Sequence, residues 1–114
     1  MEKNFIKNID MQTALTLADL VTYQKGQVVS KTFVQNSAVS LTLFAFDKDE
    51  EISSHESSGD AMVIALDGEG EIEIGGEKYI LKKDEVIVMP AKKPHAVYAK
   101  EQFKMLLIVV FSQQ

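Results

Sequence analysis

The feature that most limits the fold is a series of short β-prone runs, each roughly ten residues from the next and each closed by turn residues. Val28–Gln35 (VVSKTFVQ), Val39–Phe46 (VSLTLFAF), 61–66 (AMVIAL), 71–74 (EIEI), 77–81 (EKYIL), Val86–Met89 (VIVM), 95–99 (HAVYA) and 103–111 (FKMLLIVVF) are rich in β-branched, aromatic and long apolar side chains. Such side chains suit a pleated, half-buried surface. The connectors carry turn chemistry: Asn36-Ser37, the acidic stretch 47–51, Gly68-Glu69-Gly70, Gly75-Gly76, and the charged 82–85. Gly75-Gly76 permits the positive φ angles of a two-residue hairpin. The helical signal is confined to 15–21, where Thr16 can open one turn with Asp19 as its capping partner. Strands at this spacing with almost no helix predict an all-β sandwich or small barrel. Residues 1–27 are expected to form an N-terminal extension packing on the barrel, and 28–111 the barrel itself.

A chain of 114 residues holds one domain with a modest core. Net charge is −5, and Lys78, Lys82, Lys83, Lys92 and Lys93 are interleaved with acids or sit in turns, so no stripe suits a phosphate backbone. Nucleic acid is therefore not an expected partner. With no cysteine there is no disulfide, thiolate metal site or cysteine nucleophile, as suits a reducing cytoplasm. No apolar run reaches the length of a membrane span, and MEKNFIKNIDM lacks the apolar core of a signal peptide, so the expectation is a cytoplasmic protein with no membrane partner. The runs 61–66 and 105–111 lack polar alternation and need cover on both faces. With no helix to supply it, a second copy is expected, giving a homodimer.

Chemistry centres on two histidines. His55 lies among Ser53, Ser54, Ser57 and Ser58, before one apolar run; His95 follows Pro94 at the start of another strand. Taken singly, either could be a structural imidazole. If the runs face each other in a closed sheet, both rings share one cavity. The serines lack the G-x-S-x-G elbow of a hydrolase nucleophile, and the glycines lack the strand-to-helix setting of a dinucleotide site.

Together these features resemble the cupin family over most of the chain, from about Val28 to Phe111. The first cupin motif runs glycine, HxH, three or four residues, glutamate, six residues, glycine. His55 takes the first histidine position, and Asp67-Gly68-Glu69-Gly70 stands where the family has a hairpin. The second motif runs glycine, five residues, PxG, two residues, histidine; Pro90, Pro94 and His95 fall in register. Ser57 replaces the second histidine, Ala61 the glutamate, and Asp84 and Lys92 the two glycines of the second motif.

The resemblance implies an all-β jelly-roll barrel, to which the reading of 15–21 adds a short N-terminal helical turn. It also implies a degenerate site in which His55 and His95 are the metal candidates; Asp60, one residue before the vacated glutamate column, joins them if its strand starts with a bend that turns the side chain inward. A divalent zinc, nickel, iron or manganese ion is the implied cofactor. Alternation along the strands implies a pocket lined by Ser57, Ala61, Val63, Ala65 and Val97. The readings that follow are a small-molecule-binding cupin, a metal-dependent oxygenase or isomerase using the two histidines, or a regulatory or sensor module.

Overall fold

The computed structural model describes residues 5–113. A 3-10 turn, Leu17–Leu20, precedes eight strands: β1 (Val28–Gln35), β2 (Val39–Phe46), β3 (Glu51–His55), β4 (Asp60–Ile74), β5 (Glu77–Lys82), β6 (Val86–Met89), β7 (His95–Tyr98) and β8 (Phe103–Val110). The strands pair antiparallel in the order β1-β2-β8-β4-β7-β3, with β5 and β6 also on β4. The result is a sheet curled into a jelly-roll-like half-barrel.

The runs 61–66 and 71–74, expected as separate strands, are two halves of β4. The first half pairs with β8 and β6, the second with β7 and β5. The segment Asp67-Gly68-Glu69-Gly70, expected to be a hairpin, therefore bends the chain without reversing it. Gly68 takes φ +66°, and the register against β8 slips between Ala65 and Asp67. Such a bulge bends and twists a strand, which carries β4 from one half of the sheet into the other. A Cβ at position 68 would collide with the Gln102 carbonyl, and one at 70 would lie 2.5 Å from the Phe103 ring.

The real hairpins sit where turn chemistry put them. Asn36 Oδ1 accepts the Ala38 and Val39 N–H groups between β1 and β2. Gly75 and Gly76, at φ +56° and +88°, join β4 to β5. The 3-10 turn forms, but Thr16 makes no side-chain cap; its carbonyl accepts the Asp19 N–H instead.

Alternation sends Ala61, Val63 and Ala65 inward, where they join Phe46, Ile72 and Phe103 in the main core. A second core lies on the outer face of β1 and β2, where Phe33, Leu43 and Ala45 are covered by Ile9, Leu17, Leu20, Val21 and Tyr23. Part of the outer cover expected from a second copy thus comes from the chain's own N-terminal segment. Tyr23 clasps it: its hydroxyl donates to Asp67, and Lys104 Nζ sits 4.9 Å from its ring centroid while donating to the Ala18 carbonyl at 2.7 Å. Burial, then the Asp67 carboxylate, pushes the Tyr23 phenol well above its ordinary range.

Candidate functional site

β3 is a polar strand with one apolar residue, Ile52, and it pairs with β7. Ile52 stands opposite Val97, and His55 opposite His95, with a register slip between the two pairs. Opposed residues share a face of the sheet. Val97 and His95 are two apart on β7, so both face inward; Ile52 and His55 are three apart and would face opposite ways in a regular strand. The slip turns His55 to the inner side. The two imidazole centroids lie 4.4 Å apart, edge to face at 68°. His95 is buried, with 4% of its surface exposed, while His55 is exposed at the rim.

Each ring is held the same way. His55 Nδ1 lies 2.9 Å from the Ser53 carbonyl, and His95 Nδ1 lies 3.2 Å from the Lys93 carbonyl. A carbonyl oxygen only accepts, so these bonds place the proton on Nδ1 and leave each neutral Nε2 with its lone pair. Burial moves the His95 pKa below 6.5; the Lys93 carbonyl opposes this, and the neighbouring His55 adds to the lowering.

That shift sets a pH dependence. The unfolded chain binds the extra proton first, so the His95 contribution to stability is complete above about pH 6.5 and is lost as pH falls toward the lower folded value. Metal-free wild type is expected to melt at a lower temperature at pH 5.5 than at pH 7.5, and His95→Gln to show a smaller difference. Equal pH slopes in the two proteins would remove His95 as the cause.

The remaining sequence candidates are placed as follows. Asp60 alternates with Ala61 and faces outward, where its Oδ1 accepts the Ala91 N–H at 2.8 Å and ties β4 to the 90–94 turn. Ser57 Oγ accepts the Gly59 N–H, and its carbonyl accepts the Lys92 N–H. Ala61, Val63, Ala65 and Val97 are buried within the inner core. Among the described residues no group of three or more His, Cys, Asp or Glu is placed to hold a metal ion. The site therefore fits a metal only through two imidazole nitrogens, with the other positions left to water or a bound molecule; a closed four-ligand centre does not fit.

A hollow of about 420 Å³, lined by Glu51, Glu71, Glu73 and Tyr98 among others, lies on the opposite face of β7 from His95. It contains neither imidazole, and Lys78 stands 3.9 Å from Glu71 at its wall. Sequence reasoning missed β3 and the two carbonyls that orient the rings. The Ser53-Ser54 pair before His55 gave no periodic signal for the slip.

The inner-face histidine pair on a bent, antiparallel half-barrel has a family counterpart: residues 42–111 match the cupin domain. The chain is a cupin. It is similar to a conserved protein of unknown function from Streptococcus pyogenes, at 43% identity and TM-score 0.96 over 98% of each chain. It is also similar to a cupin superfamily protein from Desulfitobacterium hafniense, at 34% identity and TM-score 0.89 over 94% of this chain and 98% of that one. A cupin 2 conserved barrel domain protein from Leptotrichia buccalis matches at 45% identity and TM-score 0.83, over 84% of this chain and 47% of that one. No curated protein matches. Two departures from the cupin motif keep its backbone: Asp84 and Lys92, in glycine columns, hold φ of +71° and +65°.

Proposed function

We propose that this cupin binds a small molecule at the mouth of the half-barrel, with His55 and His95 as its polar anchors and Ser57 at the rim, while Ala61, Val63, Ala65 and Val97 pack beneath as the closed core that supports the histidines. The observation that carries this is the pair itself: two inward imidazoles in contact, each turned so that Nε2 is bare. The pair can also supply two ligands to zinc, nickel, iron or manganese, the bound molecule or water completing the shell. A metal-dependent oxygenase or isomerase normally needs three protein ligands, which weighs toward binding. A cysteine-free acidic chain supports a cytoplasmic setting, and the apolar outer face of the sheet supports a homodimer.

The test is untagged protein purified without chelator. Native mass spectrometry is expected to find a small organic molecule, or titration calorimetry to find one divalent metal per chain. A protein that takes up neither, even at millimolar metal, overturns the reading.

A further inference from the structure

We propose that Asp60 is a positioning residue for His95. Its carboxylate fixes the turn that carries the Lys93 carbonyl, and that carbonyl decides on which ring nitrogen of His95 the proton sits. The proposal rests on the reading of the histidine pair as the binding site and adds to it the part that sets the chemistry of one anchor.

The turn before His95 is built against its own preference. The Lys93 N–H donates to the Pro90 carbonyl at 3.4 Å, and Lys92 holds φ +65° while Ala91 does not take a positive φ. A closing bond of this kind with a positive φ at the third residue alone makes a type II turn, whose third position ordinarily goes to glycine. Lysine occupies it here, and a Cβ disfavours that backbone. A type I turn over the same four residues would relieve Lys92, and it differs mainly by a flip of the Ala91–Lys92 peptide. What resists the flip lies outside the turn.

It is the connector after His55, residues 56–59, together with the first residue of β4. Both central amides of the turn donate to this segment: the Ala91 N–H to Asp60 Oδ1 at 2.8 Å, and the Lys92 N–H to the Ser57 carbonyl at 2.8 Å. The connector is itself firm. Ser57 Oγ accepts the Gly59 N–H at 3.1 Å, and a Cβ on Gly59 would stand 2.5 Å from the Val110 carbonyl. Of the two bonds to the turn, Asp60 supplies the one made by a side chain. The clamp joins the chain just past His55 to the chain just before His95, and so spans both sides of a pair whose rings lie 4.4 Å apart. The Lys93 carbonyl, last in the turn, meets His95 Nδ1 at 3.2 Å, a longer bond than the 2.9 Å that holds His55. A shift of the turn breaks it first. With the turn held, Nδ1 keeps the proton and Nε2 keeps its lone pair for a guest; with the turn released, the proton can settle on Nε2 and close that position to a metal.

The experiment reads the ring protons directly. Nitrogen NMR on the isotope-labelled, metal-free chain at about pH 8, where an ordinary imidazole is neutral, gives the tautomer of each histidine, and calorimetric titration with nickel gives the affinity. Wild type is expected to hold the His95 proton on Nδ1. Asp60→Ala is expected to move most of it to Nε2 and to lower nickel affinity ~10–100-fold, with circular dichroism unchanged. Asp60→Asn keeps an accepting oxygen in place and is expected to match wild type in both readouts. Asp60→Ala/Lys92→Gly is expected to return the proton to Nδ1, because glycine holds the turn without the clamp; a general loosening of the fold would not recover in this way. If Asp60→Ala does not fold, Asp60→Val, β-branched as suits a strand and without an acceptor, takes its place. A His95 tautomer unchanged in the alanine or valine variant overturns the proposal, and so does an Asp60→Asn that behaves as they do. A wild type that takes up no nickel counts against the binding reading alone, since the tautomers decide the role of Asp60 without metal.

Discussion

His55→Ala is expected to lower metal affinity by at least ~100-fold while leaving the melting temperature nearly unchanged. The pair supplies the protein's nitrogen donors to a metal, and removal of one leaves a single imidazole, no better than a lone surface histidine. Even losing a group that only orients a ligand costs ~10–100-fold, so loss of a ligand sets a lower bound. The structural cost is small because His55 is exposed, and exposed substitutions usually stay within ~0.5 kcal/mol. His95→Ala is expected to abolish uptake equally but to destabilise as well. It empties a buried position and leaves the Lys93 carbonyl without its ring partner, a cost of ~1–3 kcal/mol. Calorimetric titration with nickel or zinc, beside thermal melts, separates the two effects. Wild-type uptake in His55→Ala would place any bound metal elsewhere.

Gly68→Ala is expected to lose ~3 kcal/mol or more of stability. A left-handed backbone costs an alanine ~1–2 kcal/mol, and Gly68 sits at φ +66°. The added methyl also meets the Gln102 backbone carbonyl, which lies just before β8 and cannot swing aside as a side chain can; overpacking of this kind adds ~1–3 kcal/mol. Gly70, whose φ is not positive, bears no left-handed backbone cost as alanine, but Gly70→Ala presses a methyl into the Phe103 ring, which is fully buried, so ~1–3 kcal/mol is expected there. Gly76, at φ +88° with nothing within 4 Å, is the control: alanine there bears the backbone cost alone. Urea unfolding of the three variants reads the order directly. A loss under ~1 kcal/mol at Gly68 would mean that the bend in β4 is not what holds the two halves of the sheet together.

Much of this fold is written in local pattern. The β-branched runs became strands, and Asn36 and Gly75-Gly76 became hairpins, because side-chain alternation and positive φ leave few other choices. Local pattern failed where the structure depends on partners far along the chain. Asp67-Gly68-Glu69-Gly70 has the composition of a reversing turn, yet β8 pairs with Asp67 and Gly68 and β5 takes over at Glu69 and Gly70, which keeps the strand running. β3 has only Ile52 to mark it as a strand, so it could be seen only through its pairing with β7. The histidine pair was legible through family resemblance, but the slip that turns His55 inward was not. Lys92 and Asp84 mislead in the other direction. They read as lost glycines, yet their backbones still adopt the glycine conformation, with strain an L-residue does not escape.

The two carbonyls that fix the imidazoles also determine what kind of guest is welcome. With both ring protons committed to the backbone two residues earlier, neutral His55 and His95 can receive hydrogen bonds at Nε2 but cannot give them. An alcohol, an amide or a hydrated cation brings the donors that such a mouth lacks. A carboxylate or phosphate must first carry a proton in with it, so uptake of acids should strengthen as solution pH drops, and uptake of cations should weaken.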